Sequence, residues 1–194
     1  MKIITISGLD GSGKSTQIQL LKNYLESQNK RVFYFHTVNF SIANSAIRGE
    51  TSNKNKSVVK AGWLKIQLRK IALCIDLKRF KKLIAKLEKE GYDYLISDRY
   101  FYDSVVNIEY LSEKRHLVSF WKRSVQIIAP NLAIYLQTSP ELIMQRERKP
   151  DQGLEYLQKK KEIYDKYAGI WNLKIIDGNR SKEEVFEEMR NYVK

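Results

Sequence analysis

Short, mainly apolar runs alternate along the chain with longer segments of helical periodicity. Five of these runs predict β-strands, at residues 2–7, 31–36, 92–97, 132–136 and 173–176. A run that is apolar throughout predicts a strand buried on both faces, and helices between such strands are typical of a covered parallel sheet. The pattern therefore predicts the α/β class, with a five-stranded parallel sheet and helices on both faces.

Apolar residues three or four positions apart predict the helices between the strands. The first extends from Ser15 to about Gln28, and residues 58–90 predict two strongly basic helices that end at Gly91. Further helices are predicted within 99–127, at 154–168 and from Ser181 onwards, and residues 49–56 predict an exposed loop. Because no repeat or composition shift marks a boundary, residues 1–194 are expected to form one domain.

Charge adds a class of partner to this picture. The 194 residues include 35 Lys and Arg against 22 Asp and Glu, so the formal net charge is +13. Such an excess favours a polyanionic partner, with nucleotide phosphates and nucleic acid as the first candidates. A basic solvated surface is the alternative.

Cysteine content and hydropathy indicate the cellular compartment of the protein. Cys74 lies in the apolar stretch 71–75, which predicts a buried, unreactive thiol and excludes an internal disulfide. One cysteine and two histidines disfavour a zinc site. No apolar run approaches the roughly 18 residues of a membrane span, and the opening segment is too short for a signal peptide. A cytoplasmic chain without membrane contact is expected.

Residues 8–15 carry the most specific motif. They read Gly-Leu-Asp-Gly-Ser-Gly-Lys-Ser and match G-x-x-x-x-G-K-[S/T], between the first predicted strand and helix, as a phosphate-binding loop requires. Glycines let backbone N–H groups converge on an anion, and the helix N-terminus adds partial positive charge. We therefore expect ATP to contact Gly8, Leu9, Asp10, Gly11, Ser12, Gly13, Lys14, Ser15 and Thr16.

Four side chains near this motif carry separate expectations. Lys14 is expected to reach the β- and γ-phosphates and act in catalysis, and the Ser15 hydroxyl to ligate Mg²⁺. The third predicted strand ends in Asp98-Arg99, at the edge where parallel sheets bind ligands. Asp98 is expected to support Mg²⁺ or the phosphate loop, and Arg99 to bind a second phosphate and act in catalysis. Alternatively, Asp98 caps a helix and Arg99 is solvated.

A cationic segment before Pro150 and Gly153 predicts a short lid at about 146–154. Because the phosphate loop contains no arginine, the guanidinium that stabilises the transition state must come from elsewhere. Arg148 is the first candidate for this catalytic role and Arg146 the second. A solvated basic helix end is the alternative.

The residues favour an acceptor that already carries phosphate. The oxygen of a nucleoside monophosphate is anionic at neutral pH, so its attack requires alignment and charge neutralisation rather than a general base. A hydroxyl acceptor usually requires a carboxylate. No acidic residue lies between Arg31 and Arg48, and Asp103 is the remaining substitute.

The chain resembles the thymidylate kinase family over nearly its whole length. The resemblance is specific at residues 6–17 and at Asp98-Arg99-Tyr100, and weaker at 130–146, 156–168 and 175–185. It implies a P-loop NTPase fold and a kinase that transfers the ATP γ-phosphoryl group to dTMP with Mg²⁺, giving dTDP. It also suggests a homodimer.

The resemblance assigns site residues as well. It implies that Asp10 ligates Mg²⁺ or holds the acceptor sugar. The expected metal ligands are Ser15, Asp10 and Asp98, and the expected acceptor contacts are Asp10, Asp98, Arg99, Asp103, Ser104 and Asn107.

Three positions depart from the family pattern. His36-Thr37 stands where the family usually has Glu-Pro-Gly-Gly-Thr, and Leu77 falls near the position of its base-reading arginine. The tyrosine that crowds the sugar 2′ position becomes Asn107. Phosphate chemistry is therefore expected to be retained, and strict selection of thymine and deoxyribose is not.

Two other functions stay open. One is a P-loop kinase of another small acceptor, such as another nucleotide or a nucleoside. The other is a nucleotide-regulated protein that binds nucleic acid through the basic segment 60–89. Apolar residues at helical spacing in that segment favour packing with a solvated face, so nucleic acid is disfavoured. The same interpretation predicts a solvated face at Lys159, Lys160 and Lys161.

Overall fold

The computed structural model describes residues 1–42, 63–112 and 127–193. Its five strands are β1 (Lys2–Gly8), β2 (Val32–His36), β3 (Tyr94–Asp98), β4 (Leu132–Gln137) and β5 (Lys174–Asp177). All neighbours pair in parallel, in the order β2-β3-β1-β4-β5. The predicted five-stranded parallel sheet is confirmed.

Seven helices lie in the described residues. They are α1 (Lys14–Ser27), α2 (Thr37–Phe40), α3 (Trp63–Lys89), α4 (Phe101–Ser112), α5 (Pro140–Gln145), α6 (Gly153–Ala168) and α7 (Lys182–Val193). The sequence pattern did not predict α2, which is a single turn directly after β2. The predicted loop at 49–56, and residues 113–126 of the predicted helical segment, lie outside the described residues.

The helices cover both faces of the sheet, as predicted. On one face, α1 and α7 bury Leu21 and Met189 against the strands. On the other face, α3, α4 and α6 bury Phe80, Phe101 and Tyr164. Burial of these side chains supplies the main stabilisation of the sheet and fixes the position of its carboxyl edge.

The basic segment before β3 corrects one prediction. Two helices were expected within 58–90, but Trp63–Lys89 forms one uninterrupted helix, because no glycine or proline lies inside it. Its end is as predicted. Gly91 has φ +75°, and the N–H groups of Gly91 and Tyr92 donate to the carbonyls of Glu88 and Leu87, both at 3.1 Å.

The last helix begins as its sequence predicts. The Ser181 Oγ accepts from the N–H of Glu184 at 3.3 Å, and the Glu184 carboxylate accepts from the N–H of Ser181 at 3.0 Å. Among the described residues, no helix is long and apolar enough to cross a membrane.

Candidate active site

The phosphate loop connects β1 to α1 and requires its glycines. Gly8 has φ +149°, and a Cβ there would lie 2.6 Å from the carbonyl oxygen of Leu136 on β4. Gly11 and Gly13 also have positive φ, of +82° and +99°. A side chain at any of these positions would strain the backbone, so the sequence motif and the loop conformation agree.

Lys14 opens α1 and turns back over this loop. Its buried ammonium donates to the carbonyl of Leu9 at 2.6 Å and to that of Gly8 at 3.2 Å. Burial, assisted by repulsion from Arg99, lowers the pKa of Lys14 to about 8. A desolvated cation held inside an anion-binding loop is suited to exchange carbonyl partners for phosphate oxygens.

Ser15 and Asp98 lie together at the carboxyl edge of the sheet. The Ser15 hydroxyl donates to the Asp98 carboxylate at 3.3 Å, and the Tyr34 hydroxyl donates to the same oxygen at 3.2 Å. The Nε2 atom of His36 lies 3.9 Å from that oxygen. The described residues contain no cluster of three or more metal-ligating side chains. One hydroxyl and one carboxylate nevertheless fit Mg²⁺, which binds phosphates and water through its other positions.

Arg99 follows β3 in a left-handed conformation, with φ +65°. Its N–H donates to the carbonyl of Ile6 at 3.0 Å, and its own carbonyl accepts from Thr37 at 2.9 Å and from Ser97. Non-glycine residues in this region are uncommon and concentrate at functional sites. The backbone bonds fix this turn so that the guanidinium reaches the Asp10 carboxylate in the phosphate loop.

This arrangement excludes the alternative given above for Asp98-Arg99. The helix after β3 begins at Phe101, two residues too late for Asp98 to cap it. The side chain of Arg99 is only 18% exposed, so it is not a solvated cation. The pair therefore belongs to the site at the sheet edge.

Asp10 lies at the centre of a charged cluster. Its carboxylate accepts from Arg99 and from the Tyr156 hydroxyl, the latter at 2.9 Å, and lies 3.8 Å from the Lys160 ammonium. Burial opposes ionisation, but Arg99, Lys160 and Lys14 together hold the pKa of Asp10 well below its usual range. Both predicted roles of Asp10, towards Mg²⁺ and towards the acceptor sugar, stay predictions.

Lys160 contradicts the prediction of a solvated lysine face. Its side chain is 3% exposed, and its ammonium donates to the Tyr156 hydroxyl at 2.8 Å. Lys159 and Lys161 do lie at the surface, where they pair with Glu155 and Asp165. The helical spacing of Tyr156, Lys160 and Tyr164 was the available signal, since it places the middle lysine on the inward face.

Asp103 is buried, and the protein itself supplies three donors to its carboxylate. These are the hydroxyls of Ser7 and Tyr164, both at 2.6 Å, and the N–H of Tyr100 at 2.7 Å. Because the donors come from β1, α6 and the start of α4, the carboxylate joins three elements beneath the site. A direct acceptor contact of Asp103 stays a prediction.

Replacing Asp103 with alanine should lower the free energy of unfolding by about 3 kcal/mol, since it leaves buried donors without an acceptor. Chemical denaturation of the purified variant measures this change. An unchanged stability together with a raised KM for the acceptor would show instead that Asp103 acts mainly as a substrate contact.

Ser104 and Asn107 lie on a half-buried face of α4. One turn further, the ring of Tyr110 packs edge-on against that of Tyr156, with centroids 5.2 Å apart. This face of α4 therefore borders the cluster around Asp10, which is where the sequence places the acceptor.

The predicted lid is the connection between α5 and α6. The structure places Arg146 over the phosphate loop, where it donates to the carbonyl of Gly11 at 2.5 Å. Arg148 is exposed at the mouth of the same site. A cavity of about 360 Å³ brings the predicted residues together, and its lining includes Lys14, Ser15, Asp98, Arg99, Arg146 and Arg148.

A second cavity, of about 220 Å³, shares Gly13, Thr16 and Arg146 with the first. Its lining adds Gly178 and Arg180, which follow β5 and which the sequence did not single out. The two cavities therefore lie next to each other at the phosphate loop, and cationic side chains line both. The only sequence feature that could have indicated Arg180 is its position, three residues after the end of β5.

The position that corresponds to the family's base-reading arginine carries an aliphatic residue, Leu77. Leu77 is buried in the core, whereas Arg79 lies at the surface and packs its guanidinium 4.3 Å from the centre of the Phe40 ring. Arg79 also pairs with the buried Asp76 at 2.9 Å. Arg79 therefore lies away from the buried face of α3 that carries Leu77.

The geometry and the sequence comparison agree on the family. The family model for thymidylate kinase matches residues 6–189. The chain belongs to the thymidylate kinase family.

Similar proteins match over nearly the full length of the chain. The thymidylate kinase of Thermosipho africanus is 26% identical over 98% of this chain and 96% of that protein. The thymidylate kinase of Carboxydothermus hydrogenoformans is 27% identical over 99% of this chain and 96% of that protein. Probable thymidylate kinase 2 of Saccharolobus solfataricus is 31% identical over 97% of this chain and 93% of that protein.

Family membership confirms two further predictions. The fold is that of a P-loop NTPase, and the chain is an ATP-dependent nucleoside-monophosphate kinase of the transferase class.

Proposed function

We propose that this thymidylate kinase family member transfers the γ-phosphoryl group of ATP to dTMP, giving dTDP and ADP. The observation that carries the proposal is the placement of Lys14 and Arg99 around one cavity, beside the Ser15–Asp98 pair. Two phosphates that meet there would both lie near cations, which would align them and neutralise the charge that phosphoryl transfer brings together.

The donor half of the site is the phosphate loop. The glycines and Lys14 would bind the β- and γ-phosphates of ATP, with Arg146 beside the Gly11 carbonyl. The cavity at Gly178 and Arg180 offers space for the rest of the donor nucleotide. Its cationic and apolar lining suits a nucleoside attached to phosphates.

Ser15 and Asp98 would hold Mg²⁺ through a hydroxyl and a carboxylate oxygen. When bound, Mg²⁺ neutralises charge on the β- and γ-phosphate oxygens. The predicted metal role of Asp10 has less support, since Arg99 and Tyr156 already donate to its carboxylate.

The acceptor half lies towards α4 and α6. Arg99 would bind the acceptor phosphate, with the half-buried Ser104 and Asn107 bordering the nucleoside. An anionic oxygen of that phosphate attacks the γ-phosphorus, and the bond to the β–γ bridging oxygen breaks as ADP leaves. No side chain has to remove a proton. Arg148 and Arg146 would stabilise the charge of the transferring group.

The aliphatic Leu77 and the small Asn107 predict relaxed acceptor choice. Sites without polar recognition discriminate by about 10–200-fold, whereas hydrogen-bonded recognition reaches about 10⁴–10⁵. We expect kcat/KM for dTMP to exceed that for dUMP, UMP and dCMP by less than about 10³. Initial rates with ATP and Mg²⁺ across this panel provide the measurement. A larger preference would mean that another residue reads the base.

Turnover of nucleosides in the same assay would favour the other kinase function.

The nucleic-acid alternative has little support, since α3 buries Leu73, Phe80 and Leu87 in the core. The single cysteine of the chain, Cys74, suits a reducing compartment, and a cytoplasmic location stays a prediction.

A homodimer is proposed from the resemblance. Three apolar side chains on one face of α3 support it, because they are exposed at helical spacing: Leu68, Ile71 and Ile75.

A further inference from the structure

Lys160 is a buried cation that the proposed reaction does not use. It lies on α6 one turn after Tyr156, behind the Asp10 carboxylate. Lysine is almost never fully buried without a partner, because desolvation of the ammonium is unfavourable. The Asp10 carboxylate, 3.8 Å from the ammonium, favours the charged form of Lys160, whereas burial lowers its pKa to about 8.

The position of Arg99 explains what such a charge can do. Its guanidinium is bonded to Asp10, yet the proposed reaction requires it to bind the acceptor phosphate. If Arg99 turned to that phosphate, the partly buried carboxylate would lose its main counter-ion. A carboxylate left unpaired in a poorly solvated site is strongly unfavourable. A second cation at Asp10 removes this obstacle.

We propose that Lys160 is a positioning residue that serves as the standing counter-ion of Asp10, so that Arg99 can exchange the carboxylate for the acceptor phosphate. This inference rests on the proposed function. Lys160 is not among the residues that line the cavity at the phosphate loop, and its ammonium contacts Tyr156 and Asp10 instead. The Tyr156 hydroxyl links the two groups: it accepts from Lys160 at 2.8 Å and donates to Asp10 at 2.9 Å.

Lys160→Met tests this role, because methionine keeps much of the length of the side chain and removes the charge. The dissociation constant of dTMP, measured by titration calorimetry, should rise about tenfold, as expected for loss of one coupled charge. The KM for ATP should change less than about threefold, since Lys160 lies on the acceptor side. Lys160→Arg should restore most of the dTMP affinity. Lys159→Met is the matched control, since Lys159 is exposed on the same helix.

A double-mutant cycle separates the counter-ion role from a structural one. An Asp10→Asn background removes the carboxylate that Lys160 is proposed to neutralise, so adding Lys160→Met should change the dTMP dissociation constant less than about threefold. An equal loss of affinity in both backgrounds would overturn the proposal. A variant that melts at a lower temperature but binds dTMP normally would overturn it too.

The proposed function and this inference can fail separately. Phosphorylation of dTMP by the wild-type protein tests the proposed function alone. A wild type that phosphorylates dTMP, with unaltered dTMP binding by Lys160→Met, overturns only the counter-ion role. A wild type that neither binds nor phosphorylates dTMP overturns both.

Discussion

Lys14→Met should lower kcat by about 10²–10³-fold, the typical effect of removing one group that stabilises transition-state charge. The methionine retains the stem that lies along the phosphate loop, so the helix and the core around it keep their packing. Steady-state rates with saturating ATP and dTMP measure the effect, and circular dichroism checks the fold.

Lys22→Met is the control for this substitution. Lys22 lies on the same helix, is half-buried and pairs with Glu26 at 3.3 Å, away from the loop. Its kcat should match that of the wild type. If Lys14→Met also turned over within tenfold of the wild-type rate, the phosphate loop would have no part in catalysis.

Arg148→Ala should lower kcat by about 10³–10⁵-fold, the range measured for arginine fingers, and change the KM for ATP less than about threefold. Arg148 is exposed, whereas Arg146 already bonds the Gly11 carbonyl. A guanidinium that reaches the γ-phosphate only when the lid closes stabilises the transition state rather than bound ATP. Separate determination of kcat and of the KM for ATP tests whether Arg148 stabilises the transition state or bound ATP.

Lys149→Ala provides the matched control, since Lys149 is an exposed cation of the same connection. It should retain nearly full activity. An unchanged kcat for Arg148→Ala, combined with a large loss for Arg146→Ala, would assign the catalytic role to Arg146.

Much of the fold could be predicted because strands and helices have different apolar periodicities. The spacing of apolar residues predicted the five strands, and the backbone conformation that glycine allows predicted the end of α3 at Gly91. Both features are local in the sequence. The division of α3 into two helices was wrong, because a long helix can change partners along its length without a break. The short α2 carries no local signal, since one turn is too short for periodicity.

The phosphate side of the site was also accessible from sequence. Its residues are close in the chain, and glycine, lysine and serine have distinct physical roles there. The surroundings of Asp10 were not accessible, since α6 contributes Tyr156 and Lys160 from about 150 positions later in the chain. A lysine run indicates a solvated face when tertiary contacts are unknown. The spacing of Lys160 with Tyr156 and Tyr164 places the three on one face of α6, and the packing of α6 shows that this face is buried.

Product formation with dTMP tests the central proposal most directly. ATP, Mg²⁺ and dTMP are incubated with the purified protein, and nucleotides are separated and quantified over time. The proposed function predicts ADP and dTDP in equal amounts, with negligible ADP when dTMP is omitted. ADP release that does not depend on an acceptor, with no dTDP, would contradict it.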